Sequence, residues 1–257
     1  MNNIKLISVD LDGTLFSSSG KVEPDTLAAL AECRKAGIRI IFNTARPLKM
    51  IPRELYRQCM DDYWIFSNGT TCMRQNRTVF HITISNPSAC RLMQTIHYSY
   101  AAFFFSIESY GQIYTSSLSR TMSQRYFAET ISLNELIAKP VNKILVIAED
   151  RNFPVDSISR SVTTDVRMLI TEKGKYVQFM PRGISKLSAV QQVLKENNIK
   201  LENVLSFGDD LNDLELIKAS GIGVAMGNAD PLLKQHADYV TTSNDRQGVA
   251  FFLRAFL

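Results

Sequence analysis

Two aspartates stand one residue apart in Asp10-Leu11-Asp12-Gly13-Thr14-Leu15, directly after the apolar stretch Ile4 to Val9. Residues two apart on an extended backbone project the same way, so Asp10 and Asp12 can address one bound group, and Gly13 lets the chain turn away from it. Two converging carboxylates repel each other, and a divalent cation relieves that repulsion. Magnesium prefers oxygen ligands and often shares its shell with a substrate phosphate. Taken alone, this segment reads more readily as a strand end with two solvated aspartates and a turn glycine.

A second acidic cluster weighs against that plainer reading. Gly208-Asp209-Asp210-Leu211-Asn212-Asp213 also follows an apolar run, Val204 to Phe207, and opens a helical pattern. Acidic residues at a helix start can simply cap it and favour its dipole. That accounts for one or two carboxylates but less well for three within five residues. Asp213 falls about one helical turn after Asp209, close enough to share a site with it. Two further positions suit an anion. Thr44 closes Phe42-Asn43-Thr44-Ala45-Arg46 with a hydroxyl and nearby backbone N–H groups, or else caps a helix before Pro47. Lys186, in Gly183-Ile184-Ser185-Lys186, is either a solvated surface charge or the cation that offsets a phosphoryl group and crowded carboxylates.

The elements that must position these residues alternate. Ile4 to Val9 and Ile38 to Phe42 read as strands buried on both faces. Pro24 to Ala36 reads as a helix stopped by Gly37. A helix carrying Leu48, Ile51, Leu55 and Tyr56 leads to a third strand at Trp64 to Phe66. The rhythm resumes late: helix Lys186 to Lys195, strand Val204 to Phe207, helix Leu211 to Ala219 and strand Ile222 to Ala225. A helix near Pro231 to Gln235, the short strand Tyr239-Val240 and a last helix to Phe256 follow. Strands alternating with helices imply parallel pairing through right-handed crossovers. Between these blocks lie period-two runs at Val79 to Ile84, Phe103 to Ile107, Gln112 to Thr115, Lys143 to Ile147 and Tyr176 to Phe179. Helical stretches near Cys90 to Tyr98, Ser119 to Phe127 and Pro154 to Ser161 interrupt them. The expected architecture is an α/β fold: a Rossmann-like parallel-sheet core, residues 1–80 and 184–257, with an inserted α+β cap domain over 81–183.

Composition sets the outer bounds. The 257 residues are 45% hydrophobic and 21% charged, enough to bury a sizeable core. No apolar run approaches the roughly 20 residues that span a bilayer, and the N-terminus lacks the pattern of a signal peptide, so a cytoplasmic location is expected. The net charge of +4 is scattered rather than striped, which argues against a nucleic-acid partner; no membrane partner is expected, and nothing demands more than a monomer. Cys33, Cys59, Cys72 and Cys90 form no C-x-x-C pair and read as reduced thiols. His81, His97 and His236 have no partners at metal-ligand spacing, and Tyr110, Arg120 and Arg125 fall in the insertion without an assigned role.

In order and context, Asp10-Leu11-Asp12-Gly13-Thr14, Thr44, Lys186 and Gly208 through Asp213 resemble the four motifs of the haloacid dehalogenase-like hydrolase superfamily, most of all its Cof-type phosphatases. Phe66-Ser67-Asn68-Gly69, Val224-Ala225-Met226-Gly227-Asn228-Ala229, Ala237-Asp238-Tyr239-Val240, Ser243-Asn244-Asp245 and Gly248-Val249 extend the likeness over the whole core. The resemblance implies a phosphatase acting on a small phosphorylated metabolite, with a sugar phosphate favoured and the cap supplying selectivity. It implies Asp10 as the nucleophile that forms an aspartyl-phosphate, and Asp12 as the acid and base. Magnesium would be held by Asp10, the Asp12 backbone carbonyl and Asp209, with Asp213 as ligand or support. Leu11, Thr44, Ala45, Lys186 and Asn212 would form the phosphate-binding set. Two departures stand out: Ala45 where the family usually has Gly, and Asn43 before Thr44. Two other readings use the same residues. One is a mutase or phosphotransferase that passes the phosphoryl group to an alcohol, and the other is a protein that only binds a phosphorylated ligand.

Overall fold

Buried apolar runs become the strands. In the computed structural model, which describes residues 3–148, 153–171 and 174–256, the chain opens with β1 (Leu6–Val9), α1 (Pro24–Lys35), β2 (Arg39–Asn43), α2 (Arg53–Gln58), β3 (Tyr63–Phe66), β4 (Thr71–Arg74) and β5 (Arg77–His81). It continues through α3 (Asn86–Ser99), β6 (Phe104–Ser109), β7 (Gln112–Thr115), α4 (Arg120–Arg125), β8 (Glu129–Thr130), α5 (Leu133–Ile137), β9 (Lys143–Ile147), α6 (Val155–Ser159), β10 (Val166–Thr171) and β11 (Tyr176–Pro181). It closes with α7 (Lys186–Asn197), β12 (Val204–Gly208), α8 (Leu214–Ala219), β13 (Ile222–Ala225), α9 (Pro231–His236), β14 (Tyr239–Val240) and α10 (Gly248–Phe256).

The chain divides into two compact units. The first comprises Met1–Ala45, Arg57–Arg77 and Ser185–Leu257, and the second comprises Arg46–Tyr56 and Thr78–Ile184. In the first unit the strand order is β14-β13-β12-β1-β2-β3-β4, parallel throughout except for antiparallel β4. The register sets Val9 of β1 beside Phe207 of β12 and Phe42 of β2, so three strands end at one level. α1 packs on α10, while α8 packs against both α7 and α9. Local chemistry fixes the helix ends. Pro24 occupies the first turn of α1, where its missing N–H costs nothing. Gly37, at φ 83°, closes it: Gly37 N–H donates to the Arg34 carbonyl and Ile38 N–H to that of Cys33.

In the second unit a six-stranded sheet runs β10-β11-β9-β6-β7-β8, antiparallel except where β8 joins β7. One face carries Phe105, Ile107, Ile144, Val146, Val177 and Phe179, which pack with Leu92, Met93 and Ile96 of α3. Glu108 and Lys143 pair across β6 and β9 at 2.5 Å, both almost fully buried. The arrangement is α+β.

Three local differences from the sequence reading have physical causes. The helix expected across Leu48 to Tyr56 is broken: a 3-10 turn (Leu48–Met50) precedes α2, and Ile51 is extended with ψ 135°. Pro52 excludes the helical region for the residue before it. The Arg46–Tyr56 segment, which the sequence reading counts with the core, belongs with the second unit. α5 was not expected, although Ser132 and Glu135 form a complete capping box at its start.

Candidate active site

Asp10 follows β1 immediately, and its N–H donates to Phe207 of β12. The chain then turns sharply, with Leu15 N–H returning to the Asp10 carbonyl and Phe16 N–H to that of Leu11. Gly13 makes the turn possible. Its φ is +72°, and a Cβ there would overlap the Asp209 carboxylate. Asp209 follows β12, the neighbouring parallel strand, so the two acidic segments meet at the carboxyl ends of adjacent strands, where open α/β sheets place ligands.

Lys186 links them. It is the first residue of α7, whose start is fixed by Ser185 accepting from Ser188 N–H. Its side chain is buried, and Nζ lies 2.7 Å from Asp10 Oδ1 and 2.7 Å from Asp213 Oδ1. The other oxygen of Asp213 accepts from the N–H groups of Asp209 and Asp210 at 3.3 and 3.4 Å. Thr14 Oγ1 donates to Asp209 Oδ1 at 3.0 Å. One oxygen from each of Asp10, Asp209 and Asp213 lies within 4.8 Å of the others.

The charges are unbalanced. Burial pushes Asp10 well above the usual carboxylate range, Lys186 opposes the shift, and Asp213 and Asp209 add to it. Asp209 is raised to about 6, first by burial and then by Asp213, against the hydrogen bond from Thr14. Lys186 is shifted upward: burial works against its charge, but Asp10 and Asp213 outweigh it. Three carboxylates around one ammonium leave negative charge in a desolvated place. A hard divalent cation with oxygen ligands fits this set, since one oxygen from each carboxylate can approach a common point and Gly13 leaves room for Asp209.

The remaining predicted residues divide. Thr44 is fully buried beyond β2, its N–H donating to Ile65 and its carbonyl accepting from Asn68. Leu11 is buried and Ala45 half-buried. Asn212 donates to Asn68 Oδ1 at 3.0 Å, using one of two amide hydrogens. The Asp12 side chain is exposed and stands outside the carboxylate trio.

Three residues in contact with the site had no role assigned to them from sequence. Thr14 supports Asp209, as above. Asn43, buried at the end of β2, donates to the Lys186 carbonyl at 3.3 Å. Asn68 holds both Thr44 and Asn212 while sitting at φ 56°, next to Ser67 at φ 54°. Two successive buried residues in the left-handed region store strain of about 1–3 kcal/mol each. The Asn-Gly pair at 68–69 was the available signal, because Asn tolerates that conformation best after Gly.

A family model described as haloacid dehalogenase-like hydrolase matches residues 7–253. The 5-amino-6-(5-phospho-D-ribitylamino)uracil phosphatase YcsE of Bacillus subtilis is 27% identical over 258 residues, covering 98% of this chain and 95% of its own. The phosphoglycolate phosphatase of Methanothermobacter thermautotrophicus is 25% identical over 254 residues, covering 99% of each. The crystal structure of a haloacid dehalogenase-like hydrolase from Bacteroides thetaiotaomicron is similar with a TM-score of 0.87 at 24% identity, over 99% of this chain and 100% of that one.

Proposed function

The chain belongs to the Cof-type haloacid dehalogenase-like hydrolases and is a phosphoric monoester hydrolase, and from that premise we propose that it is a magnesium-dependent phosphatase working through an aspartyl-phosphate on Asp10. The observation that carries the reading is the Lys186 bridge between Asp10 and Asp213, with Asp209 alongside. A buried carboxylate whose charge is costly is a poised nucleophile once a cation and Lys186 hold it ionised.

In the first step an Asp10 carboxylate oxygen attacks phosphorus, the bond from phosphorus to the ester oxygen breaks, and Asp12 protonates the departing alkoxide. In the second, Asp12 takes a proton from water as that water attacks the phosphorus of the aspartyl-phosphate. Inorganic phosphate leaves and the Asp10 carboxylate is restored. The exposed position of Asp12 suits a group that must meet both leaving group and water. Asp10, the Asp12 carbonyl and Asp209 would hold magnesium, which supplies charge neutralisation for the transferring group. Lys186, Thr44, Asn212, and the Leu11 and Ala45 positions would orient the phosphoryl oxygens; Asp213 holds Lys186 in place.

The substrate is proposed to be a small phosphorylated metabolite, a sugar or polyol phosphate before others, selected by the inserted unit. One relative acts on a phosphorylated ribityl chain and another on phosphoglycolate, so the shared machinery tolerates different leaving groups. Phosphate release from a panel of small esters, with magnesium or with chelator, tests the reading. Release that needs the metal and disappears in Asp10→Asn supports it; equal release from both proteins overturns it.

A further inference from the structure

β2 reads Arg-Ile-Ile-Phe-Asn, and every residue after Arg39 is buried. Asn43 is only 1% exposed, in a place where an apolar side chain would suit the sheet better. Its Nδ2 donates to the Lys186 carbonyl at 3.3 Å. That carbonyl can only accept, so it dictates which way the amide faces. Oδ1 then points away, buried and with no hydrogen-bond partner among the described residues. A buried acceptor left unsatisfied destabilises a fold, and in a native chain it calls for an explanation.

The strand register supplies one. Val9 and Phe42 are level across β1 and β2, so Asn43 stands beside Asp10, and their side chains leave the sheet on the same face. The start of α7 lies over that face. Lys186 is held there at both ends: its carbonyl by Asn43, its Nζ by Asp10 and Asp213. The turn after β3 closes on the same spot, where the Gly69 backbone approaches the Ser185 carbonyl so nearly that no Cβ would fit. Within α7 the Lys186 carbonyl also faces the N–H of Val190, four residues on, so the helix does not need Asn43 to satisfy that carbonyl. What the amide adds is a fixed anchor for a lysine whose stem is otherwise flexible.

We propose that Asn43 is a positioning residue: it pins the first turn of α7 to the end of β2, and so holds the Lys186 ammonium on Asp10 while a phosphoryl group is transferred. This deepens the phosphatase reading above and rests on it. Asn43 acts through Lys186 and not on the substrate. A misplacement of about 1 Å in a group of this kind can lower a rate on the order of a hundred-fold.

Asn43→Leu tests it, because leucine keeps the branched shape of asparagine and removes both polar atoms. The variant should be at least as stable as the natural protein in urea titrations, since the unsatisfied oxygen goes with the amide. Hydrogen exchange in the first two turns of α7, followed by mass spectrometry with chelator present, should nonetheless speed up about five-fold, the counterpart of one net hydrogen bond. With 4-nitrophenyl phosphate and magnesium, kcat should fall about ten- to hundred-fold at an unchanged KM. Asn43→Ala, which makes no steric demand, should loosen α7 and lower kcat in the same way even if Asn43→Leu folds poorly. A purely structural amide predicts the reverse: lower stability in Asn43→Leu with kcat kept. That result, a change confined to KM, or unaltered exchange of α7 in both variants overturns the proposal. Failure of the tether and failure of the phosphatase are separable. Unaltered exchange beside magnesium-dependent phosphate release by the natural protein removes the tether and leaves the phosphatase; faster exchange in the variants of a protein that releases no phosphate does the reverse.

Discussion

Replacing Asp209 with asparagine should make the metal-free protein more stable. Asp209 is raised from 3.8 to about 6 by burial and by Asp213. That is about 2 units, and at ~1.36 kcal/mol per unit the charged form is disfavoured by roughly 3 kcal/mol at neutral pH. Asparagine keeps an oxygen for the Thr14 hydrogen bond but carries no charge, so about 1–3 kcal/mol should be recovered. For a chain of this size that corresponds to a rise in Tm of about 3–10 °C. The sign has a pH signature. A group whose folded value lies above its unfolded one contributes stability that is complete below about pH 4 and lost as pH rises past about 6. The advantage of Asp209→Asn should therefore be full above pH 6 and fade towards pH 4. Magnesium at a thousand times its dissociation constant should invert the order, because the natural protein then gains about 4.1 kcal/mol and the variant gains little. Differential scanning calorimetry with chelator and with magnesium, at several pH values, measures all three effects. A variant less stable than the natural protein in chelator at neutral pH would refute the picture of a crowded, desolvated carboxylate.

Other consequences follow from the same geometry. Lys186→Met removes the ammonium that Asp10 and Asp213 share, leaving buried charge unpaired; stability should fall by about 3–5 kcal/mol in urea titrations and turnover should vanish. Gly13→Ala forces a Cβ onto the Asp209 carboxylate at a positive φ, so metal affinity should drop at least ten-fold by calorimetric titration, even where the fold survives. Asn68→Gly keeps the left-handed backbone but removes the partner of Asn212. Stability should change by no more than about 1 kcal/mol while kcat falls, whereas Asn68→Ala should also lose about 1–2 kcal/mol to strain.

Much of the first unit was legible because strands buried on both faces of a parallel sheet leave continuous apolar runs. Ile38 to Phe42 and Val204 to Phe207 announce themselves in this way. The carboxylates were legible for a related reason, since both clusters directly follow such runs and therefore sit at strand ends. Short edge strands carry no such signature. β8 has two exposed residues, and β10 shows no clean alternation, so neither was expected. The Lys186 bridge joins residues 176 positions apart and depends on strand register, which no local pattern encodes. The Asn212–Asn68 contact is similar: each residue sits in a recognisable motif, but their meeting is a product of the fold. The break at Pro52 could have been read, because the rule about the residue before proline is local.

The central claim is a covalent phosphoryl group on one residue. Acid quenching during turnover of the best ester, followed by mass mapping of the phosphorylated peptide, measures it directly. The expected result is one phosphoryl group on Asp10, formed faster than the ester turns over and absent in Asp10→Asn. A phosphoryl group on another residue, or steady hydrolysis by Asp10→Asn, would contradict the account.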